Sequence, residues 1–196
     1  MNDIILIGAG GHARSCIDII EMAGQYKIAG LIEKDGLESE ENLGYPIIGN
    51  DRDLPDLRKK YQFALITVGQ IKSSKPRVRL FKVLTALDYK LPVIISPKSY
   101  VSKHSELGLG TIVMHNVIVN AQSKIGSNCI LNNKALIEHD AVIGDHCHIA
   151  TGAIINGNVR IGSETFIGSG AITKESISIG NNLVIGAGKF IKKSLE

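Results

Sequence analysis

The chain has 196 residues, 44% of them hydrophobic, with no tryptophan and 5% aromatic residues, so its one large or two small cores must rest on Ile, Val, Leu and Ala. A formal net charge of +3 is too small to argue for nucleic acid, and no apolar run approaches the ~20 residues of a membrane span. Cys16, Cys129 and Cys147 form no CxxC pair, so neither a disulfide framework nor a structural zinc site is implied.

The opening MNDIILIGAG carries Asp3 where a secretion signal needs positive charge, which predicts a cytoplasmic protein. Ile4 to Ile7 reads as a short buried strand, and Ala13 to Ala23 has apolar residues at helical spacing. Lys27 to Ile32 and Phe63 to Val68 read as further strands, and Arg77 to Leu87 as a second amphipathic helix. Strand, helix, strand in that order predicts a small α/β domain of the Rossmann-like, doubly wound parallel kind over residues 1–94.

Between the first strand and helix lies GAGGHA, Gly8 to Ala13, whose backbone N–H groups and positive helix end face whatever binds there. It satisfies G-x-G-x-x-A, and Glu33 sits at the end of the second strand, where a dinucleotide fold keeps its ribose acid. An NAD site is one reading of this half, although about 90 residues is short for a full six-stranded dinucleotide fold.

From Ile95 to Ile191 the period changes to six, with Ile, Val or Leu at every sixth position except Thr173. Four residues after each anchor comes a smaller residue, as at Cys129, Ala135, Ala141, Cys147 and Ala153, and glycine follows several anchors directly, where it is expected to make the turns. Such a repeat describes a parallel β-helix over residues 95–196, with three repeats to an 18-residue coil, so that residues n and n+18 stack ~4.8 Å apart. Cys147 then falls on an inward corner above Cys129, with Thr111 and Thr165 in the same stack, and His146 and His148 point outward or along the edge. This disfavours one metal gripping all three, and in a reducing cytoplasm packing accounts for the stacked cysteines better than a disulfide does.

The repeat resembles the left-handed β-helix of the hexapeptide-repeat acyltransferases. Within it, IEHDAVIG at residues 137–144 resembles the catalytic segment of the bacterial nucleotide-sugar N-acetyltransferases that carry a nucleotide-binding N-terminal domain, and of the related sialic acid O-acetyltransferases. The likeness runs from GAGGH through the last coil. It implies a homotrimer that uses acetyl-coenzyme A and no metal, with His139 as general base, Asp140 raising its basicity, and the Gly157 N–H as oxyanion donor. It further implies that His148, Ser169 and Ala187 line the coenzyme groove between prisms. Gly10, Gly11 and His12 would contact a nucleotide-linked amino sugar, Glu33 and Lys34 its base or ribose, and Gly69 its pyrophosphate surroundings. The sialic acid branch tends to carry an aromatic residue where this chain has His12, which favours the amino-sugar nucleotide.

The chemistry suits such residues. An ammonium cannot attack a thioester until it loses a proton, and imidazole, with an unperturbed pKa of about 6.5, is suited to take it. Adjacent strand residues point to opposite faces, so Asp140 reaches His139 only if the chain bends there. Lys72, Lys75, Arg77 and Arg79 read as help for a diphosphate or as a solvated helix start. Where the family commonly has a glycine-proline-alanine-basic tail, this chain has GKFIKKSLE, leaving Lys189, Lys192 and Lys193 as phosphate contacts, and Thr173 suggests a looser coil. The hexapeptide family also contains zinc-dependent hydratases, whose histidine spacing His115, His139 and His148 do not match. The expected function is N-acetylation of a 4-amino sugar on a nucleoside diphosphate for surface glycans. O-acetylation of a sialic- or legionaminic-type sugar and a non-catalytic nucleotide-binding trimer are the alternatives.

Overall fold

A computed structural model describes residues 1–34 and 41–196. Contacts divide the chain into two compact units, Met1–Gly69 with Lys75–Pro92, and Gln70–Ser74 with Val93–Glu196.

In the first unit β1 (Asn2–Ile7) leads to α1 (Gly11–Ala23), β2 (Tyr26–Ile32), the hairpin β3 (Glu41–Asn42) and β4 (Tyr45–Gly49), α2 (Leu54–Lys60), β5 (Phe63–Ile66) and α3 (Lys75–Ala86). The sheet order is β3-β4-β2-β1-β5, parallel except for the hairpin. β1 sits between β2 and β5, so Ile4, Ile5, Leu6 and Ile7 are all buried, which is why the strand reads as a continuous apolar run rather than an alternation. The hairpin turns at Leu43 and Gly44, both at positive φ. It and α2 leave weak signals: β4 carries Pro46 where it faces the two-residue edge strand β3, and α2 buries only Leu54 fully. Arg77 departs from a solvated helix start. It is completely buried, and its guanidinium donates to the Ile66 and Val68 carbonyls at the end of β5 (2.9 and 2.7 Å).

The second unit is a parallel β-helix of seventeen two-residue strands, from Ile94–Ile95 to Phe190–Ile191, in three sheets. Strands pair with those 18 residues before and after them, and the strands of the end coils on one side only, as in Ile118↔Leu136 and Leu136↔Ile154. The second residue of each strand is the inward anchor: Val119, Ile137, Ile155 and Ile149 are wholly buried. Full burial of such a side chain contributes roughly 1.5–3 kcal/mol, and it recurs along the prism. The corner residues Thr111, Cys129, Cys147 and Thr165 are also wholly buried. The free thiols of Cys129 and Cys147 donate to the Gly144 and Gly162 carbonyls of the next coil (3.2 and 3.1 Å), and contact with Cys129 together with burial pushes the Cys147 thiol up.

The glycines after the anchors do not make the turns. Every sixth residue from Gly110 to Gly188 has a φ of 55–68°, and most of these are not glycine: Asn116, Asn128, Asp140, His146 and Asn158 are among them. Gly126 and Gly168 serve stacking instead, since a Cβ there would lie 2.6 and 2.5 Å from the Asp145 and Ala187 nitrogens one coil on.

The outward first residues distinguish the walls. One wall presents Tyr100, Ile118, Leu136, Ile154, Ile172 and Phe190, of which Tyr100, Ile118, Ile172 and Phe190 are exposed. A second presents Glu106, Lys124, Val142, Arg160 and Ser178. The third buries Ile94, Ile112, Ile130 and His148.

Candidate active site

The corner that follows the apolar wall gathers His139, Asp140 and Gly157. His139 comes two residues after the anchor Ile137, and Asp140 takes the left-handed turn position with φ 61°. That turn is the required bend. It folds the carboxylate back so that His139 Nδ1–H donates to Asp140 Oδ2 at 2.7 Å, although the residues are adjacent in sequence. The carboxylate fixes the tautomer and leaves Nε2 as the basic atom. The hydrogen bond to Asp140 raises the His139 pKa above its usual value; desolvation opposes it, and the charges of Asp140 and Glu138 add to the rise.

Gly157 lies one coil on. A Cβ there would come within 2.9 Å of His139 Cε1 and Nε2, so only glycine leaves the ring beside this backbone without displacing it. Neighbouring peptides are spent: Asn158 N–H donates to the His139 carbonyl (3.0 Å) and Ser176 N–H to the Gly157 carbonyl (2.9 Å). The Gly157 N–H itself has no acceptor among the described residues. At another corner of the prism the Ser127 N–H, likewise two residues after an anchor, is taken by the Asp145 carboxylate 18 residues on. A hollow of about 480 Å³ opens over this corner, lined by Glu138, His139, Asn156, Gly157, Glu175 and Ser176. Glu138, held by Asn120 Nδ2–H at 2.8 Å, and Glu175 are acids that sequence reasoning missed; their only signal was their place in the coil register next to His139 and 18 residues beyond Gly157.

Ser169 and Ala187 stand on a different corner, exposed and stacked on successive coils, with Gly188 N–H donating to the Ser169 carbonyl at 2.9 Å. Their corner precedes the apolar wall and the His139 corner follows it, so the two tracks flank that wall on opposite edges. His148 points outward from the prism yet is buried, because Gln70–Ser74 packs over it. His148 Nδ1–H donates to the Gln70 carbonyl (2.5 Å), Asn132 Nδ2–H donates to His148 Nε2 (3.2 Å), and Phe166 stands edge-on at 5.1 Å. Gln70 Nε2–H also reaches the His146 carbonyl (2.8 Å). Lys189, Lys192 and Lys193 surround a hollow of about 510 Å³ on the last coil together with Phe190. Among the described residues no group of three or more His, Cys, Asp or Glu is arranged to hold a metal ion.

In the first unit, Gly10 is the N-cap of α1, and an added Cβ at Gly10 or Gly11 would meet nothing within 4 Å. Nothing among the described residues demands glycine there; its effect is an open approach to the helix N-terminus. Gly8 is different, with φ 112° and a Cβ position 2.7 Å from Val68 Cγ2. Glu33 clamps this loop, accepting from Ala9 N–H (2.7 Å) and Lys34 N–H (3.0 Å), and Lys34 is exposed. His12 Nε2 lies 3.6 Å from Cys16 Sγ, whose thiol burial pushes up to about 12 against the opposing charge of Arg77. Gly69 faces the His12 Cβ at 3.7 Å measured from its own Cβ position.

Residues 3–84 match the family model of the PglD N-terminal domain. Residues 122–157 and 140–174 match the bacterial transferase hexapeptide (six repeats), and residues 158–193 the hexapeptide repeat of succinyl-transferase. Among curated proteins no sequence matches. Among solved structures, PerB from Caulobacter crescentus in complex with CoA and GDP-perosamine is 30% identical, with a TM-score of 0.92, over 100% of this chain and 91% of that one. The acetyltransferase domain of PglB from Neisseria gonorrhoeae FA1090 is 29% identical, with a TM-score of 0.91, over 100% and 94%. That same domain has also been solved in complex with acetyl coenzyme A, at 30% identity over 97% and 93% of the chains with a TM-score of 0.87. An α/β unit of the PglD type joined to a left-handed β-helix with a histidine–aspartate pair at its corner places this chain among the hexapeptide-repeat sugar N-acetyltransferases.

Proposed function

We propose that the protein transfers the acetyl group of acetyl-coenzyme A to the 4-amino group of a sugar carried on a nucleoside diphosphate, in the making of surface glycans. The observation that carries this reading is the His139–Asp140 pair beside the unspent Gly157 N–H. Acetyl-coenzyme A supplies an activated thioester. His139 Nε2 takes a proton from the acceptor ammonium, freeing its nitrogen to form the new C–N bond. The Gly157 N–H donates to the carbonyl oxygen as negative charge develops there. After attack the adduct nitrogen sheds its second excess proton to water; as the C–S bond breaks, the imidazolium returns its proton to the departing sulfur, so that coenzyme A leaves as a thiol and one proton is released to solvent overall. Asp140 stabilises the imidazolium in between.

The acids Glu138, Asp140 and Glu175 around the corner favour a cationic acceptor, which supports an amine over the hydroxyl of a sialic-type sugar. Incubation with acetyl-coenzyme A and a panel of UDP-, GDP- and dTDP-linked 4-amino sugars should release thiol with at least one of them. Silence with every amino sugar defeats the proposal, and release with a sialic-type acceptor alone would favour O-acetylation. PerB was solved with GDP-perosamine, which puts the GDP-linked sugar first in the panel. The nucleotide is assigned to the open N-terminus of α1, with Gly10, Gly11 and His12 near the sugar, Glu33 and Lys34 near the base or ribose, and Gly69 by the pyrophosphate. The protein acts in the cytoplasm on this reading.

Ser169 and Ala187 fit a pantetheine arm, being small, exposed and stacked on one track. His148 belongs behind that track as a support, its two ring nitrogens being engaged by Asn132 and Gln70. Since the base and this track lie on opposite edges of one apolar wall, a single prism holds them apart. A second copy docked on that wall brings the base edge of one chain to the coenzyme edge of the next, which is the reason to assign a homotrimer, whose three sites are all built this way. Ile118→Glu with Ile172→Glu should convert the assembly to monomers by light scattering and abolish transfer while the isolated chain keeps its fold by circular dichroism. A still-trimeric or active double variant would refute this assembly.

Asp140→Asn tests the pair through pH. Only unprotonated His139 is a base, so kcat/KM should rise with pH through a His139 pKa that Asp140 holds up. Removing the carboxylate lowers that pKa, so the acid limb should move to lower pH while the plateau falls by about 10-fold or more as orientation is lost. An unmoved acid limb would count against the pair.

A further inference from the structure

Thr173 is the one interruption in the aliphatic ladder, and it lies in the coil directly beyond Gly157. Its side chain is wholly buried. Along this wall the residue after each anchor donates its N–H to the anchor carbonyl 18 residues beyond that anchor: Asn120 to Ile137, Glu138 to Ile155, Lys174 to Ile191, at 2.9, 2.9 and 2.7 Å. At Asn156 the pattern breaks. Its N–H goes to the Thr173 hydroxyl oxygen (2.9 Å), and its side-chain Nδ2–H takes the vacated Thr173 carbonyl (2.7 Å). The rung above Thr173 accordingly keeps only the pair Ile154↔Ile172, whereas the rung below it keeps both pairs, Ile172↔Phe190 and Thr173↔Ile191.

We propose that Thr173 and Asn156 are positioning residues for the Gly157 amide, a role that rests on the function assigned to that N–H above. The swapped pair of hydrogen bonds pins Asn156 at both its backbone and its side chain, and the next peptide bond carries the Gly157 N–H. Ser176 holds the other side of the same glycine through its carbonyl. A donor that must meet a developing oxyanion without reorganising needs its peptide plane held in this way. A valine at 173 would fill the same volume but lacks the oxygen; Asn156 N–H would then return to the carbonyl, its side chain would lose its acceptor, and the Gly157 peptide would turn.

Thr173→Val should therefore lower kcat by ~10-fold, as a misplaced catalytic group does, with the KM for acetyl-coenzyme A little changed. The Gly157 amide ¹H–¹⁵N resonance should move, and Thr173→Ser, which keeps the oxygen, should restore both. Asn156→Ala, outside the core, removes the side-chain arm and should shift the same resonance and lower kcat even if the core variant fails to fold. Wild-type kcat and an unmoved Gly157 resonance in a folded Thr173→Val, or in Asn156→Ala, would overturn the proposal. A moved resonance with unchanged kcat in either variant would overturn the functional half of it. Full transfer by His139→Ala would instead bring down the reading on which it rests, and the two failures are thus distinguishable.

Discussion

Replacing His139 by alanine should reduce kcat for acetyl transfer by about 10²- to 10⁴-fold, the range that a positioned general base contributes. The ring is held at one point, by Asp140, and its side chain is 65% exposed, so the fold does not depend on it. Thermal unfolding and coenzyme A binding should stay at wild-type values, and the residual rate should lose the acid limb that His139 imposes. The measurement is thiol release under saturating substrates across pH, alongside a melting curve. A variant that keeps wild-type kcat would show that another group removes the proton; one that merely melts would show that the ring serves the fold.

Gly157→Ala should cost about 10²-fold in kcat without a matching loss of stability. The backbone at 157 lies outside the left-handed region, so alanine is not strained there, but its methyl would sit 2.9 Å from His139 Cε1 and Nε2. The exposed ring is free to swing away, which relieves the clash and at the same time takes the base from the donor it must work beside. This separates two kinds of glycine in the prism. At Gly126 an added methyl meets the Asp145 backbone nitrogen at 2.6 Å, which cannot swing away, and the penalty there falls on folding. Single-turnover rates and urea unfolding of Gly157→Ala check the distinction, and a stability loss equal to the loss in activity would contradict it.

Hexad spacing made the second half of the chain legible because a β-helix is nearly a linear map. Once anchors are known, residue n stacks on n+18, and that rule alone put Gly157 beside His139, Cys129 beside Cys147 and Ser169 beside Ala187. The first unit was legible where strands are buried on both faces, as at Ile4 to Ile7, and illegible where elements bury little: β3, β4 and α2 have too few apolar positions to carry a period.

Periodicity reports which side chains face the core; it is silent on what covers the outward faces and on which hydrogen bond a polar side chain takes. The turn of Asp140 back onto His139 depends on the left-handed corner that the stacked coils impose on whatever residue stands there, glycine or not. His148 reads as outward, and it is, but a segment 78 residues away in sequence buries it. Arg77 reads as help for a diphosphate or as a solvated helix start until the carbonyls of Ile66, the last residue of β5, and Val68 just beyond it claim its guanidinium. The spacing set Gly157 one coil from His139 because covalent order and coil length carry that information, while the resemblance of IEHDAVIG supplied their roles; the apolar wall between base and coenzyme track, and the exchange of partners at Thr173, arise from contacts between distant segments, and only the folded chain holds them.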